Sequence, residues 1–487
     1  MEVRLFGALR RKPPPERCRR CNRMRAATSG GRSVLLISPM NGLAPAPPHK
    51  ADRILLGSLG GGVEYWTFRH RAARRFAHAY MQYPAMMVPE LQGELLDAAR
   101  AADTSVRHVY DPFVGCGTTL AEAMIRGLDF AGKDINPLAV LACRVKAGPY
   151  FPAAIRRKTE LLLDRMATDS RRTIDVSFPG REKWFDDSVA VGLSRIRRAV
   201  CGESARWARR FFWVAMVESV RLTSNSRTST FKLHMRPQEE LTGRRCCPQA
   251  VFCETLLRNI RHMEGQAHYL RDRGLLRRGH YTGAVDIQLG DSSQNLEGSP
   301  KQLDLLITSP PYGDNQTTVP YGQYSFLPLQ WVDLGDIDAH ADAALIANTH
   351  ALDSHSLGGS LRGASDAATT LAEMSPAFRR MAVDLASASP NATKRLSAFC
   401  RDLHACLDPI VGQLKPGALM LWTVGSRRIA NRQVPLERIL IDMLEARGAT
   451  HVASVPRHIP NKRMAVRNSI ADTMRSETIV VLRNGGH

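Results

Sequence analysis

The chain has 487 residues, 44% of them hydrophobic, enough for one large domain with insertions or for two to three domains. Its 67 Lys and Arg against 46 Asp and Glu leave a net charge of +21, which favours a polyanionic partner through counterion release and steering. The sequence has no run of 18 apolar residues and no apolar stretch near its start, which argues against a membrane or secreted protein and sets the expectation of a soluble, cytoplasmic one with nucleic acid as its partner.

Residues 1 to 62 read as a basic, flexible N-terminal tail. They carry Arg10-Arg11-Lys12, Pro13-Pro14-Pro15 and a basic run from 17 to 25, then a Gly, Pro and Ala-rich stretch ending at Gly60-Gly61-Gly62. Such composition buries too little apolar surface to order itself. Cys18 and Cys21 have the spacing of half a zinc site. A structural zinc needs four ligands, so reduced thiols and no metal are expected.

Residues 63 to 150 form the next unit. A strand at 106 to 110 leads into the glycine-punctuated turn Asp111-Pro112-Phe113-Val114-Gly115-Cys116-Gly117-Thr118-Thr119, then a helix at 120 to 126 and a strand at 130 to 135 that carries Asp134. Glycines let backbone approach a ligand closely, and an acid at the end of the second strand can bind two ribose hydroxyls. Leu120 stands where the dinucleotide fingerprint needs its third glycine. That departure argues against nicotinamide or flavin and fits a nucleoside ligand without a pyrophosphate.

Residues 151 to 280 read as a helical, basic insertion with a place for DNA recognition. In the helix at 205 to 222, Trp207, Phe211, Phe212 and Trp213 fit a core face better than a base-stacking platform. The following stretch, 223 to 234, packs hydroxyl residues around Arg227 and Lys232. That is the make-up of a phosphate-gripping loop, and equally of an ordinary exposed loop.

Residues 281 to 335 hold the most informative run. A strand at 303 to 307 is followed by Thr308-Ser309-Pro310-Pro311-Tyr312. An exocyclic base amine is a poor nucleophile, and a rigid set of acceptors offsets this by drawing on its protons. Pro310 and Pro311 fix the turn and remove two N–H donors, Ser309 adds a hydroxyl, and Tyr312 offers a stacking face. Asp314 lies near enough in sequence to be a proton acceptor. Residues 336 to 400 read as a second helical insertion, either a lid or part of a recognition surface. Residues 401 to 487 return to α/β character, with helices at 403 to 413 and 436 to 447 and strands at 418 to 424, 450 to 455 and 478 to 482. Between the last two strands a basic loop with Arg457, His458, Lys462 and Arg463 is expected to contact DNA.

Asp-Pro-Phe-x-Gly-x-Gly-Thr-Thr, Asp134-Ile135-Asn136-Pro137 and Thr-Ser-Pro-Pro-Tyr-Gly together resemble site-specific DNA methyltransferases of the exocyclic-amino class, which act on cytosine N4 or adenine N6. The resemblance implies an α/β, Rossmann-like fold dependent on S-adenosylmethionine, with helical insertions. It implies that Asp111, Phe113, Gly115, Gly117 and Thr118 hold the methionine part of that cofactor, with Tyr83 and Pro84 packed against it. Asp134 and Asn136 would serve the ribose. Asp291 would serve the adenine, although an acid followed by Ser292 also suits a helix cap. Ser309, Pro310, Pro311 and Tyr312 would hold a flipped base. Double-stranded DNA is the implied substrate, gripped by Arg227, Lys232, Lys462 and Arg463, and a cognate restriction endonuclease is a natural companion. Ser before Pro-Pro-Tyr favours cytosine N4 over adenine N6. An RNA amino-methyltransferase, a non-catalytic DNA-binding protein and, least favoured, an oxidoreductase are the rivals.

Overall fold

The computed structural model describes residues 50–69, 74–298, 302–459 and 476–486. Cys18, Cys21, Lys462, Arg463 and most of the basic tail lie outside the described residues.

Among the described residues, alternating apolar segments build one seven-stranded sheet. Its strands are β1 (His108–Asp111), β2 (Asp129–Asp134), β3 (Val285–Leu289), β4 (Leu303–Thr308), β5 (Leu414–Gly425), β6 (Thr450–His458) and β7 (Ser476–Arg483). Their order is β6-β7-β5-β4-β1-β2-β3. β3, β2, β1, β4 and β5 pair in parallel, while β7 is antiparallel to both β5 and β6. The sheet is buried on both faces, as parallel strands require. Val109, Leu305, Ile307, Leu421 and Ile479 enter one core, while Tyr110, Leu306, Met420, Trp422 and Val480 enter the other. This is an α/β, Rossmann-like fold with helical insertions.

The first core is completed by helices that include Pro89–Ala102, Pro137–Ala147, Asp187–Cys201, Arg206–Thr223 and Pro248–Asp272. Phe211, Phe212 and Trp213 are buried there, as expected of core residues, and Trp207 is half-buried against the same core. The second core takes helices Ala364–Met374, Pro376–Ala386, Pro390–Gly412 and Leu436–Glu445.

Several boundaries differ from the sequence reading, each for a physical reason. Residues 50 to 62 are structured: Lys50–Leu59 is a helix with Leu55 and Leu59 buried, and Asp52 accepts a 2.6 Å hydrogen bond from Arg483 of β7. Two leucines one turn apart suffice once helix Pro89–Ala102 supplies the surface. Helix Pro390–Gly412 begins before the expected boundary at 400, since the stripe Leu396, Phe399, Leu403 and Leu407 is continuous. β5 includes the expected turn at 415 to 417, because a register shift against β4, from Leu303↔Leu414 to Leu305↔Leu419, absorbs it as a bulge. β6 extends to His458, so Arg457 is a buried strand residue and not part of a basic loop.

This topology fixes where a ligand can bind. The chain leaves β1 towards β2 on one side, while β4 occupies the other side of β1. In open α/β sheets the crevice outside the carboxyl ends at such a switch point is the ligand site.

Candidate active site

A cavity of about 390 Å³ opens at that crevice, within the range of small-molecule pockets. β1 and its loop contribute Asp111, Phe113, Gly115 and Thr118, β2 contributes Asp134 and Asn136, and Asp291 follows β3. The β4 loop brings Ser309, Pro310, Pro311 and Tyr312, and the segment before helix Pro89–Ala102 brings Tyr83 and Pro84. Residues more than 200 positions apart in the chain therefore share one wall. Gly117 is outside the lining.

The glycine loop shows why its glycines are there. Gly115 has φ 50°, and a Cβ added to it would meet nothing closer than the Tyr83 ring at 3.9 Å, so bare backbone faces open space. Gly117, at φ 74°, starts helix Thr118–Ile125, and a Cβ there would lie 2.8 Å from Cys143 Sγ. One glycine leaves open space at the cavity and the other makes room for the fold.

Two buried carboxylates define the electrostatics. Asp134 accepts hydrogen bonds from the backbone N–H of Gly115 (2.8 Å) and of Asn136 (2.9 Å). Burial outweighs these bonds and pushes its carboxyl up to about 6. Asp111 accepts from Phe113 N (3.1 Å) and from Thr308 Oγ (2.6 Å), which ties the end of β1 to the end of β4. Burial pushes it up to about 7. Among the described residues neither forms an ion pair. Uncompensated acids in a cleft mark a place where a ligand supplies the missing partner.

Other expected residues have further duties. The Asn136 side chain caps helix Pro137–Ala147 by accepting from Leu138 N, and its amide donates to Tyr83 Oη (2.9 Å) and Ser325 Oγ (2.8 Å). It therefore holds Tyr83 in the wall. Asp291 caps no helix: its carboxylate accepts from Ser293 N (2.8 Å) in a turn, and the residue is exposed at the cavity. Asp314 is absent from the lining. It is buried, accepts from Thr317 N (3.0 Å) and Oγ1 (2.7 Å), and pairs with buried Arg427 at 3.2 Å. Its work is to shape the loop, and the geometry does not favour it as a proton acceptor.

The β4 loop carries a hydrogen-bonded chain. Ser309 Oγ lies 3.0 Å from Tyr312 Oη, Tyr312 donates to Glu477 Oε1 (3.1 Å), and Arg457 Nη1 is 3.1 Å from Glu477 Oε2. Burial, then the Glu477 carboxylate, hold the Tyr312 phenol well above its ordinary pKa, so it remains a donor. Glu477, Asn315, Tyr321 and His355 also line the cavity and were not singled out from sequence, and Arg457, expected in a DNA-contacting loop, lines it as well. A lone acid in a strand gives no signal, and Arg457 was masked by the surrounding basic residues.

Of the expected nucleic-acid contacts, Arg227 and Lys232 are exposed. Their loop is closed by Arg227 N to His234 O (2.8 Å) and Arg236 N to Asn225 O (2.9 Å), while Ser224, Asn225 and Ser226 are buried. It docks on helix Tyr321–Trp331, with Phe231 edge-on to Tyr324 and Leu233 N donating to Gln323 Oε1 at 3.2 Å. The loop is therefore a built hairpin on the helix that follows the Ser309–Tyr312 turn. Among the described residues no His, Cys, Asp and Glu cluster could hold a metal, and no helix is long and apolar enough to cross a membrane.

No protein-family model matches the chain. Among characterised proteins it is similar to the Type II methyltransferase M.MvaI of Kocuria varians, 28% identical over 456 residues that cover 90% of this chain and 97% of that protein. Among solved structures, the rRNA methyltransferase AviRa of Streptomyces viridochromogenes superposes with a TM-score of 0.31 at 12% identity, over 88% of this chain and 93% of that one. So loose a superposition bears on neither fold nor function.

Proposed function

We propose that this protein is an S-adenosylmethionine-dependent DNA methyltransferase that flips a target base and methylates its exocyclic amine, with cytosine N4 as the first choice and adenine N6 as the second. The observation that carries the reading is the shared cavity: the glycine loop, Asp134 and the Ser309–Tyr312 turn line one space at the switch point. Similarity to a Type II methyltransferase along nearly the whole chain supports it.

The residues present fit the cofactor. Gly115 leaves backbone bare towards the cavity, and each Asp134 oxygen, already accepting one N–H, retains lone pairs for ribose hydroxyls. Asp111 and Asp134 form no ion pair among the described residues, and burial disfavours their ionised forms, so a cationic ligand would stabilise them. Tyr83, held by Asn136, would pack against the methionine end, and exposed Asp291 would serve the adenine. The cofactor supplies an electrophilic methyl group on a sulfonium. The chain's own part is to seat the base on Tyr312 and to aim acceptors at the amine from Ser309 and the Pro310 carbonyl, raising its nucleophilicity without a strong base. Flipping costs a few kcal/mol, offset by contacts to the duplex backbone from Arg227 and Lys232 and, outside the described residues, Lys462 and Arg463. Action on double-stranded DNA in the cytoplasm, beside a cognate endonuclease, completes the proposal.

Nucleoside mass spectrometry of DNA from a host expressing the protein tests it: N4-methylcytosine is expected. N6-methyladenine alone would move the base assignment and keep the mechanism, while methylated RNA with unmodified DNA would reject the substrate class.

A further inference from the structure

The geometry points to Glu477 as a positioning residue that sets the hydrogen-bond polarity of the Ser309 hydroxyl, so that the loop receives a base amine and turns away a base carbonyl. This deepens the base-methylation reading above and rests on it.

The argument is a count of protons. Glu477, ion-paired to Arg457 at 3.1 Å, has oxygens that only accept. Tyr312 has one hydroxyl proton and spends it on Glu477 Oε1 at 3.1 Å. In the 3.0 Å contact between Tyr312 Oη and Ser309 Oγ, the proton must then come from Ser309. The Ser309 hydroxyl has no second proton, so its free lone pairs are what it can turn towards the cavity, which it lines. Pro310 and Pro311 add no N–H beside it. A base presenting an amine meets acceptors, as cytosine and adenine do. A base presenting a carbonyl at the equivalent place, as thymine and uracil do, would set lone pair against lone pair, and unpaired buried acceptors are costly.

Arg457 makes the polarity durable. It is 1% exposed, and the Glu477 carboxylate is the acid its ion pair engages, so the pair fixes the acceptor at the far end of the chain. All four side chains line the same cavity, on strands β6 and β7 and the β4 loop.

Single-turnover transfer of labelled methyl from S-adenosylmethionine to unmethylated bacterial chromosomal DNA, with the full-length protein, tests this. In Glu477→Gln the amide can donate to Tyr312, the phenol proton can turn to Ser309, and the serine proton can turn to the cavity. The rate is expected to fall on the order of tenfold to a hundredfold, as misplaced reacting groups typically cause. Cofactor affinity by calorimetry should stay within about twofold, since the chain does not hold the cofactor loop. Tyr312→Phe keeps the stacking ring and cuts the chain, so a loss of similar size is expected, and Glu477→Gln added to it should cost less than about twofold more, the non-additivity of groups acting through one another.

Independent, multiplying losses, or an unchanged rate in Glu477→Gln, would overturn the proposal. If Glu477→Gln does not fold, Ser309→Ala with Tyr312→Phe repeats the test: tyrosine truncation should cost less than about twofold once the serine hydroxyl is gone, and multiplication overturns the idea. No transfer by the wild type would bring down the base-methylation reading and this proposal with it. Transfer by the wild type with multiplying losses removes this proposal alone.

Discussion

Buried carboxylates meet opposite fates in two regions of the molecule. In the helical insertion, Asp336 is buried beside Arg209 at 2.5 Å and accepts from Trp213 Nε1 at 2.8 Å. Burial would raise its carboxyl, yet the bonds from Arg209 and Trp213 prevail and it lies below its ordinary value. In the crevice, Asp111 and Asp134 have no cation partner among the described residues, and burial carries them up to about 7 and about 6. The first arrangement joins two insertions. The second leaves an unmet electrostatic demand at the place where strands end, which is what a proposed binding acid, unlike a structural one, requires.

The contrast can be broken where it is strongest. Asp336→Ala leaves the buried Trp213 N–H without its acceptor and half-buried Arg209 with only the Glu203 and Ser204 carbonyls, a loss of about 3 kcal/mol. A lower denaturation midpoint is expected, with turnover per folded molecule unchanged. A catalytic defect in the folded fraction would mean that the insertion acts on the chemistry. In the crevice the expected pattern is the reverse. Pro311→Ala and Tyr312→Ala should lower turnover by about a hundredfold or more, the usual cost of a lost preorganised group, with stability and cofactor affinity much less affected. Equal losses in midpoint and rate would make the loop merely structural.

The carboxylates also give a pH signature. An acid raised by burial is protonated below its folded pKa, and a protonated Asp134 offers fewer acceptors to a ribose. Affinity for S-adenosylmethionine should therefore fall as pH drops through about 6, the value to which burial raises Asp134. By calorimetry the Asp134 share should be about a tenfold weakening between pH 7.5 and pH 5, and Asp134→Asn should remove that share while leaving the dependence contributed by Asp111, raised to about 7. Because Asp134 also holds Gly115 N and Asn136 N, alanine at this position would loosen the loop as well, and asparagine is the cleaner probe. The smallest effect belongs to the exposed hairpin. Arg227→Ala with Lys232→Ala should weaken DNA binding a few-fold and reduce the salt slope by ~2, one phosphate contact for each cation lost. An unchanged slope would return that loop to the role of an ordinary surface turn.

Local patterns made much of the molecule legible in advance. Alternating or fully apolar runs of five or six residues, bounded by Gly, Pro and Asp, located the central strands. Glycines with acids at strand ends located one wall of the crevice, because each such motif is a short-range solution to a backbone or ligand problem. The Ser309-Pro310-Pro311-Tyr312 turn was legible for the same reason: the whole motif is contained in four consecutive positions. The aromatic segment of helix Arg206–Thr223 was legible as core, although the structure buries that helix on every side from Phe211 to Val220 and leaves Trp207 half-buried.

Tertiary structure decided what depends on partners far along the chain. Lys50–Leu59 is a helix because Pro89–Ala102 and Arg483 receive it, which composition could not foretell. Arg457 left the basic loop for the interior when Glu477 arrived on the neighbouring antiparallel strand, Arg457 opposite Glu477 in register. Asp314 turned from a candidate acceptor into a loop clamp on meeting Arg427, 113 positions away. Charge and hydrogen-bond partnership are properties of pairs, and a linear sequence names the members of a pair without saying which ones meet.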